Sequence, residues 1–217
     1  MADFAVIGLG RFGSAAALEL MRMGHSVLGI DHDEKTINRY VDQLSRAVIA
    51  DVTDTMAIEE LGLDNYDVVL VAIGDDVQAS LVSVVHLKAA GVDKIWVKAT
   101  SRAQHLILSK LGVQRIIHPE EDMGVRVAQM LSYPMVTDYI SLGNGEFVVE
   151  IRVSPRLDSI PIEKIITPPH QRVEVLIVKR KAHITTTPPK HFVLQADDIL
   201  VIFGPLHSLR AIAPLLI

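Results

Sequence analysis

Three charged or flexible features near the N-terminus have the types and spacing to do chemistry. Gly8-Leu9-Gly10-Arg11-Phe12-Gly13 fits a G-x-G-x-x-G turn, and Asp31 stands 18 residues beyond its last glycine. In such a turn Gly8 permits the tight reversal, Gly10 lets backbone N–H groups come close to phosphate, and Gly13 lets the following helix lie against its sheet. The helix N-terminus then offers positive potential to phosphate oxygens. Asp31 is spaced to accept ribose hydroxyls and to repel a 2′-phosphate, which disfavours NADP. Arg11 puts a cation inside the turn, where a guanidinium could grip a β- or γ-phosphate in two places, favouring ATP or ADP. The same arginine would also be unremarkable as an exposed residue opening a helix.

Asp51-Val52-Thr53-Asp54 carries the next carboxylates. Asp51 could accept a hydrogen bond from an adenine amino group, while Thr53 or Asp54 could simply cap the helix that follows. Other chemistry is harder to find. His170, His183, His191 and His207 lack neighbouring carboxylates to tune them, and no H-E-x-x-H, G-x-S-x-G or Walker A sequence is present. Hydride transfer needs an acid–base group facing the cofactor, so a dehydrogenase is disfavoured and no ATP hydrolysis is expected, although the glycine turn and Asp31 suit NAD as well as ATP.

Alternating elements position these residues. Apolar runs at Phe4–Ile7, Val27–Ile30, Ala47–Ala50, Val68–Ala72, Ile95–Lys98 and Arg115–Ile117 read as strands. Helical spacing at Ser14–Met23, Glu34–Val41, Thr55–Leu61, Val77–Ala90, Gln104–Leu111 and Asp122–Leu131 separates or follows them. Strands this apolar require cover on both faces, which predicts an α/β fold: a Rossmann-type doubly wound parallel sheet. Tyr133-Pro134 stops the last helix and suggests two domains, residues 1–133 and 134–217. The second reads as a small α+β lobe with strands at Phe147–Val153, Glu174–Lys179, His183–Thr186 and Ile199–Phe203, a helix near Pro161–Ile165 and another at the C-terminus.

Composition narrows the partners. With 21 basic against 26 acidic residues the formal charge is -5, and the basic residues are scattered, so nucleic-acid binding is not expected. The absence of cysteine removes disulfides and thiolate chemistry and suits a reducing compartment. No secretory pattern is legible at the N-terminus, and Gly204, Pro205, His207 and Arg210 interrupt the apolar stretch from Ile199 to Ile217, so a cytoplasmic location is expected.

The segments Phe4-Ala5-Val6-Ile7-Gly8-Leu9-Gly10-Arg11-Phe12-Gly13, Val71-Ala72-Ile73-Gly74, Trp96-Val97-Lys98-Ala99 and Arg115-Ile116-Ile117-His118-Pro119-Glu120-Glu121-Asp122-Met123-Gly124 resemble the RCK (KTN) family of potassium-transport regulators. The resemblance is nearest to the gating subunits of Ktr-type uptake systems and covers almost the whole chain. It implies a homo-oligomer in which dimers build an octameric ring, peripheral on the inner face of the membrane beneath a membrane-embedded potassium-translocating subunit, with ATP and ADP favouring different ring shapes. It implies nucleotide contacts from Gly8, Gly10, Arg11, Phe12, Gly13, Asp31, Asp51, Val52, Thr53, Ala72, Ile73, Gly74, Lys98 and Glu120. Glu120 would also help hold a cation, Mg2+, Ca2+ or Na+, beside the phosphates, as suits a hard oxygen donor. Without the resemblance, Glu120 reads as a carboxylate favouring the start of its helix. In related subunits the C-lobe can bind cyclic di-AMP, a partner the resemblance implies without specifying its residues.

Overall fold

The first strand of the chain lies at the centre of its sheet and sets the architecture. In a computed structural model, which describes residues 1–132, 136–166, 172–212 and 215, β1 (Asp3–Ile7) pairs in parallel with both β2 (Ser26–Asp31) and β4 (Val68–Val71). Outward from these lie β3 (Arg46–Ile49), β5 (Ile95–Lys98) and β6 (Arg115–Ile117), giving the parallel order β3-β2-β1-β4-β5-β6. The chain therefore leaves β1 toward one edge and returns through β4 toward the other, so the carboxyl ends of β1 and β4 flank the reversal point, where ligands of such sheets bind.

Alternate residues of these strands enter two cores. Ala5, Ile7, Leu28, Ile30, Val69 and Val71 pack beneath α3 (Thr55–Leu61), α4 (Val77–Ala89) and α5 (Arg102–Lys110), whose Ile58, Leu87 and Leu108 are buried with them. Val6, Val27 and Leu70 face the opposite way, toward Ala17 of α1 (Arg11–Arg22) and Ile37 of α2 (Glu34–Tyr40). Burial on both faces explains the unbroken apolar runs. Each fully buried Leu or Ile contributes roughly 1.5–3 kcal/mol, so the sheet is rigid enough to hold its loop ends in place.

Capping fixes where the helices begin. Asp33, Asp54, Asp76 and Ser101 accept hydrogen bonds from the first-turn amides of α2, α3, α4 and α5. The helix α1 begins at Arg11, inside the glycine turn, three residues before the sequence places it, because Gly10 itself adopts the extended N-cap conformation. Similarly α6 (Pro119–Ser132) opens at Pro119 and not at Asp122: proline fits the first helical position, and Glu120, Glu121 and Asp122 suit the first turn.

The residues fall into two packed units, Met1–Asp122 and Met123–Ile217. The second contains an antiparallel sheet of order β10-β9-β11-β8-β7, formed by β7 (Val136–Gly143), β8 (Glu146–Arg152), β9 (Glu174–Arg180), β10 (His183–Thr186) and β11 (Ile199–Pro205). One face is buried by Ile151, Val178, Leu200 and Ile202 with Leu209 and Ile212 of α7 (Leu206–Ile212). The strand β7 is absent from the sequence reading, and the helix expected near Pro161–Ile165 is a single 3-10 turn, Ile162–Lys164. Tyr133-Pro134 and His170 lie outside the described residues.

Candidate nucleotide site

Backbone closeness at the reversal point demands the glycines. Gly8 follows β1 with φ +88°, and a side chain there would come within 3.2 Å of the Ala72 and Ile73 backbone. Its N–H donates to the Ile30 carbonyl at 2.8 Å, while the Ala72 N–H donates to the Ile7 carbonyl at 2.7 Å. A Cβ on Gly13 would fall 1.9 Å from the Gly8 carbonyl oxygen, so α1 is pressed directly onto the turn. Gly10 is different: nothing lies within 4 Å of its missing side chain. No side chain caps α1 and no acidic residue occupies its first turn. The turn thus presents an open, positively polarised helix end.

Asp31 secures this turn from β2. Its Oδ2 accepts the Leu9 N–H at 2.7 Å and its Oδ1 accepts the Asp33 N–H at 3.0 Å. The carboxylate therefore stiffens the glycine loop, a role invisible in the spacing alone. Asp51 accepts both the Thr53 N–H and hydroxyl through Oδ1, at 2.9 and 2.7 Å. Those bonds, the hydroxyl foremost, together with nearby His32 hold its carboxyl below the usual range, so it is ionised at neutral pH. Asp54, not Thr53, supplies the cap of α3.

A cleft of about 370 Å3 opens over these groups, lined by Gly8, Gly10, Asp31, Asp51, Val52, Thr53, Ala72, Ile73 and Gly74, within the size range of small-molecule sites. His32, Asp75, Asp76 and Ala79 also line it and escaped the sequence reading. Their positions immediately after β2 and just beyond β4 were the available signal.

Arg11, Phe12, Lys98 and Glu120 do not line that cleft: they gather next to its Gly74 edge, and Glu120 lines a neighbouring cleft. Lys98 Nζ pairs with Glu120 Oε1 at 2.6 Å, lies 6.0 Å from the Phe12 ring centroid and stands 3.0 Å from where a Gly74 side chain would begin. The hydrogen bond from Lys98 lowers the Glu120 pKa, aided by the charges of Lys98 and Arg11. Arg11 is exposed and Lys98 is buried. Three of the expected residues, Arg11, Lys98 and Glu120, therefore form one charged cluster with Phe12 beside it, although they come from α1, β5 and α6. Among the described residues no three His, Asp or Glu side chains converge as a metal site. Glu120 alone, already neutralised by Lys98, holds no cation by itself; phosphate oxygens would have to complete the shell. His183, His191 and His207 are exposed.

A parallel sheet of this order, with a glycine turn at its reversal point and a carboxylate ending the second strand, defines a Rossmann-type nucleotide-binding fold. The model of the TrkA-N domain matches residues 4–119, and the chain belongs to the TrkA-N family. It is 41% identical over 202 residues to Ktr system potassium uptake protein A of Bacillus subtilis (strain 168), covering 93% of this chain and 91% of that protein. Against Ktr system potassium uptake protein A of Vibrio alginolyticus the identity is 38%, over 94% of this chain and 92% of that one. The solved RCK domain of GsuK shares the fold with TM-score 0.56 at 17% identity, over 99% of this chain and 47% of that one. The GsuK channel has also been solved bound to NAD. No helix among the described residues is long and apolar enough to cross a membrane.

Proposed function

We propose that this chain is the regulatory subunit of a potassium uptake system, which binds ATP or ADP in the glycine-turn cleft and gates a membrane-embedded potassium-translocating subunit. The observation that carries this reading is the cluster of Arg11, Lys98 and Glu120, which reaches the cleft where Lys98 approaches Gly74. A site for adenosine alone needs no such charges, whereas a terminal phosphate does. Identity of 41% along nearly the whole Ktr protein A supports the potassium assignment.

In this reading Gly8, Gly10 and Gly13 shape the phosphate turn, Asp31 holds ribose, and Asp51, Val52, Thr53, Ala72, Ile73 and Gly74 enclose the adenosine. Arg11, beside Phe12, meets the γ-phosphate, and Lys98 becomes available to phosphate when Glu120 turns to a cation such as Mg2+, Ca2+ or Na+. The protein is a sensor and not an enzyme: ATP and ADP stabilise different shapes of a ring built from dimers, and only their differential affinity for those shapes moves the partner. The C-lobe serves dimerisation. A cytoplasmic protein held at the inner membrane face by its partner follows from this assignment.

Calorimetric titration of ATP and ADP into the parent and Arg11→Ala tests the phosphate reading. ATP affinity is expected to fall about tenfold or more, the value of a charge-assisted contact, and ADP affinity to fall less. Equal losses for both nucleotides would remove Arg11 as the sensor. Potassium flux in vesicles containing the membrane partner is expected to differ between ATP and ADP.

The carboxylate ending β2 favours a second reading, an NAD(H)-binding redox sensor or NAD-dependent oxidoreductase. Thermal shift separates the two: the adenine nucleotides are expected to raise the melting temperature more than NAD or NADH at matched concentration, and the reverse order favours redox chemistry.

A further inference from the structure

Next to the charged cluster, a second cleft of about 500 Å3 runs along the carboxyl ends of β5 and β6, lined by Thr100, Ser101, Arg102, His105, His118 and Glu121 among others. Neither histidine is used by the nucleotide reading. His105 is the fourth residue of α5, His118 links β6 to α6, and their rings meet edge to edge, with centroids 5.0 Å apart and planes inclined by 22°. Nδ1 of His105 and Nε2 of His118 are 2.7 Å apart. Two neutral imidazoles so placed share one proton: one nitrogen donates it and the other directs a lone pair at it. Replacing that proton by a soft or borderline divalent metal keeps both nitrogens aimed inward. Two Zn–N bonds of about 2.1 Å at a tetrahedral angle separate their nitrogens by about 3.4 Å, so the rings part by about 0.7 Å and each tilts by about 35° to aim its lone pair at the metal.

The geometry points to a transition-metal clip formed by His105 Nδ1 and His118 Nε2, taking Zn2+ or a similar imidazole-loving divalent ion. Among the described residues no three ligating side chains already converge, so water completes the shell, and Glu121 offers a carboxylate on the same cleft wall. Imidazole selects Zn2+, Cu2+ and Ni2+ over Mg2+ and Ca2+, which distinguishes this clip from any hard-cation site at Glu120. Because His118 sits two residues before Glu120, a metal here ties α5 to the turn that carries that carboxylate.

The test is titration of Zn2+ into the tag-free full chain, with His105→Gln, His118→Gln and, as a control at an exposed histidine, His191→Gln. One equivalent is expected to bind with micromolar affinity and raise the melting temperature, and nitrogen-15 spectra should show coordination at His105 and His118. Each cleft variant is expected to lose about tenfold or more in affinity while His191→Gln loses none. Unchanged Zn2+ affinity in both cleft variants, absence of binding at micromolar Zn2+, or an equal response to Mg2+ would overturn the assignment. Melting curves without metal confirm that the variants fold, and nucleotide titrations are not needed to read the outcome.

Discussion

Lys98 and Glu120 meet at 2.6 Å across the end of the parallel sheet, yet their surroundings are opposite: the lysine side chain is 11% exposed and the glutamate 65%. The buried partner depends on the exposed one. An ammonium taken out of water needs a counter-charge, whereas a carboxylate facing solvent does not.

Removing Glu120 should therefore expose the asymmetry. Glu120→Gln is expected to lower the melting temperature, and the additional change Lys98→Met to restore part of it. The lowered Glu120 pKa gives the pH dependence its sign. A carboxyl depressed in the folded state contributes stability that is present above its ordinary value of 4.5 and disappears as pH falls through the lowered value. Urea unfolding of parent and Glu120→Gln should differ at neutral pH and converge in acid; a difference that persists below that window would assign the loss to packing.

The glycines of the turn separate folding from binding. A methyl at Gly13 meets the Gly8 carbonyl at 1.9 Å, whereas one at Gly10 meets nothing within 4 Å. Gly13→Ala is expected to cost about 1–3 kcal/mol or more, since a backbone atom must yield, and to lower the melting temperature by about 2–4 °C for each kcal/mol. Gly10→Ala should fold within about 1 kcal/mol of the parent and bind ATP more weakly. Scanning calorimetry and ATP titration on both variants check this; the opposite pattern would exchange their roles.

The second unit has its own test in Asp198, which is 1% exposed and receives two hydrogen bonds from Arg180, at 2.8 and 2.7 Å. Burial pushes its pKa up, but the Arg180 bonds, the Gln195 amide and the guanidinium charge outweigh that and leave it below the ordinary 3.8. Arg180→Met strands the carboxylate and is expected to cost about 3–5 kcal/mol at neutral pH. With burial then dominant, the carboxyl pKa rises, so the penalty should shrink as pH falls and Asp198 protonates. Denaturant titrations from neutral pH to about pH 4 would reveal a flat penalty if the arginine acts only by packing.

The glycine turn, its flanking elements and the carboxylate ending β2 were legible because they are local: strand, turn and helix lie within 31 residues. The strand β7 was not. Its apolar Ile140 and Leu142 are 60% and 57% exposed while Tyr139 packs toward the core, so its alternation runs against the pattern that identifies a half-buried strand. The meeting of Lys98 with Glu120, and of His105 with His118, was equally unreadable. Each pair joins separate elements brought together only by the order of β5 and β6. Asp31 was located correctly at the end of its strand, but its grip on the Leu9 amide depends on a loop conformation no spacing encodes.

At Gly10, α1 starts without a side-chain cap. A phosphate seated there would finish the helix from solution, so its concentration becomes a variable of folding as well as of occupancy. Melting temperature would then climb with the logarithm of the concentration of whatever phosphate ligand fills that end.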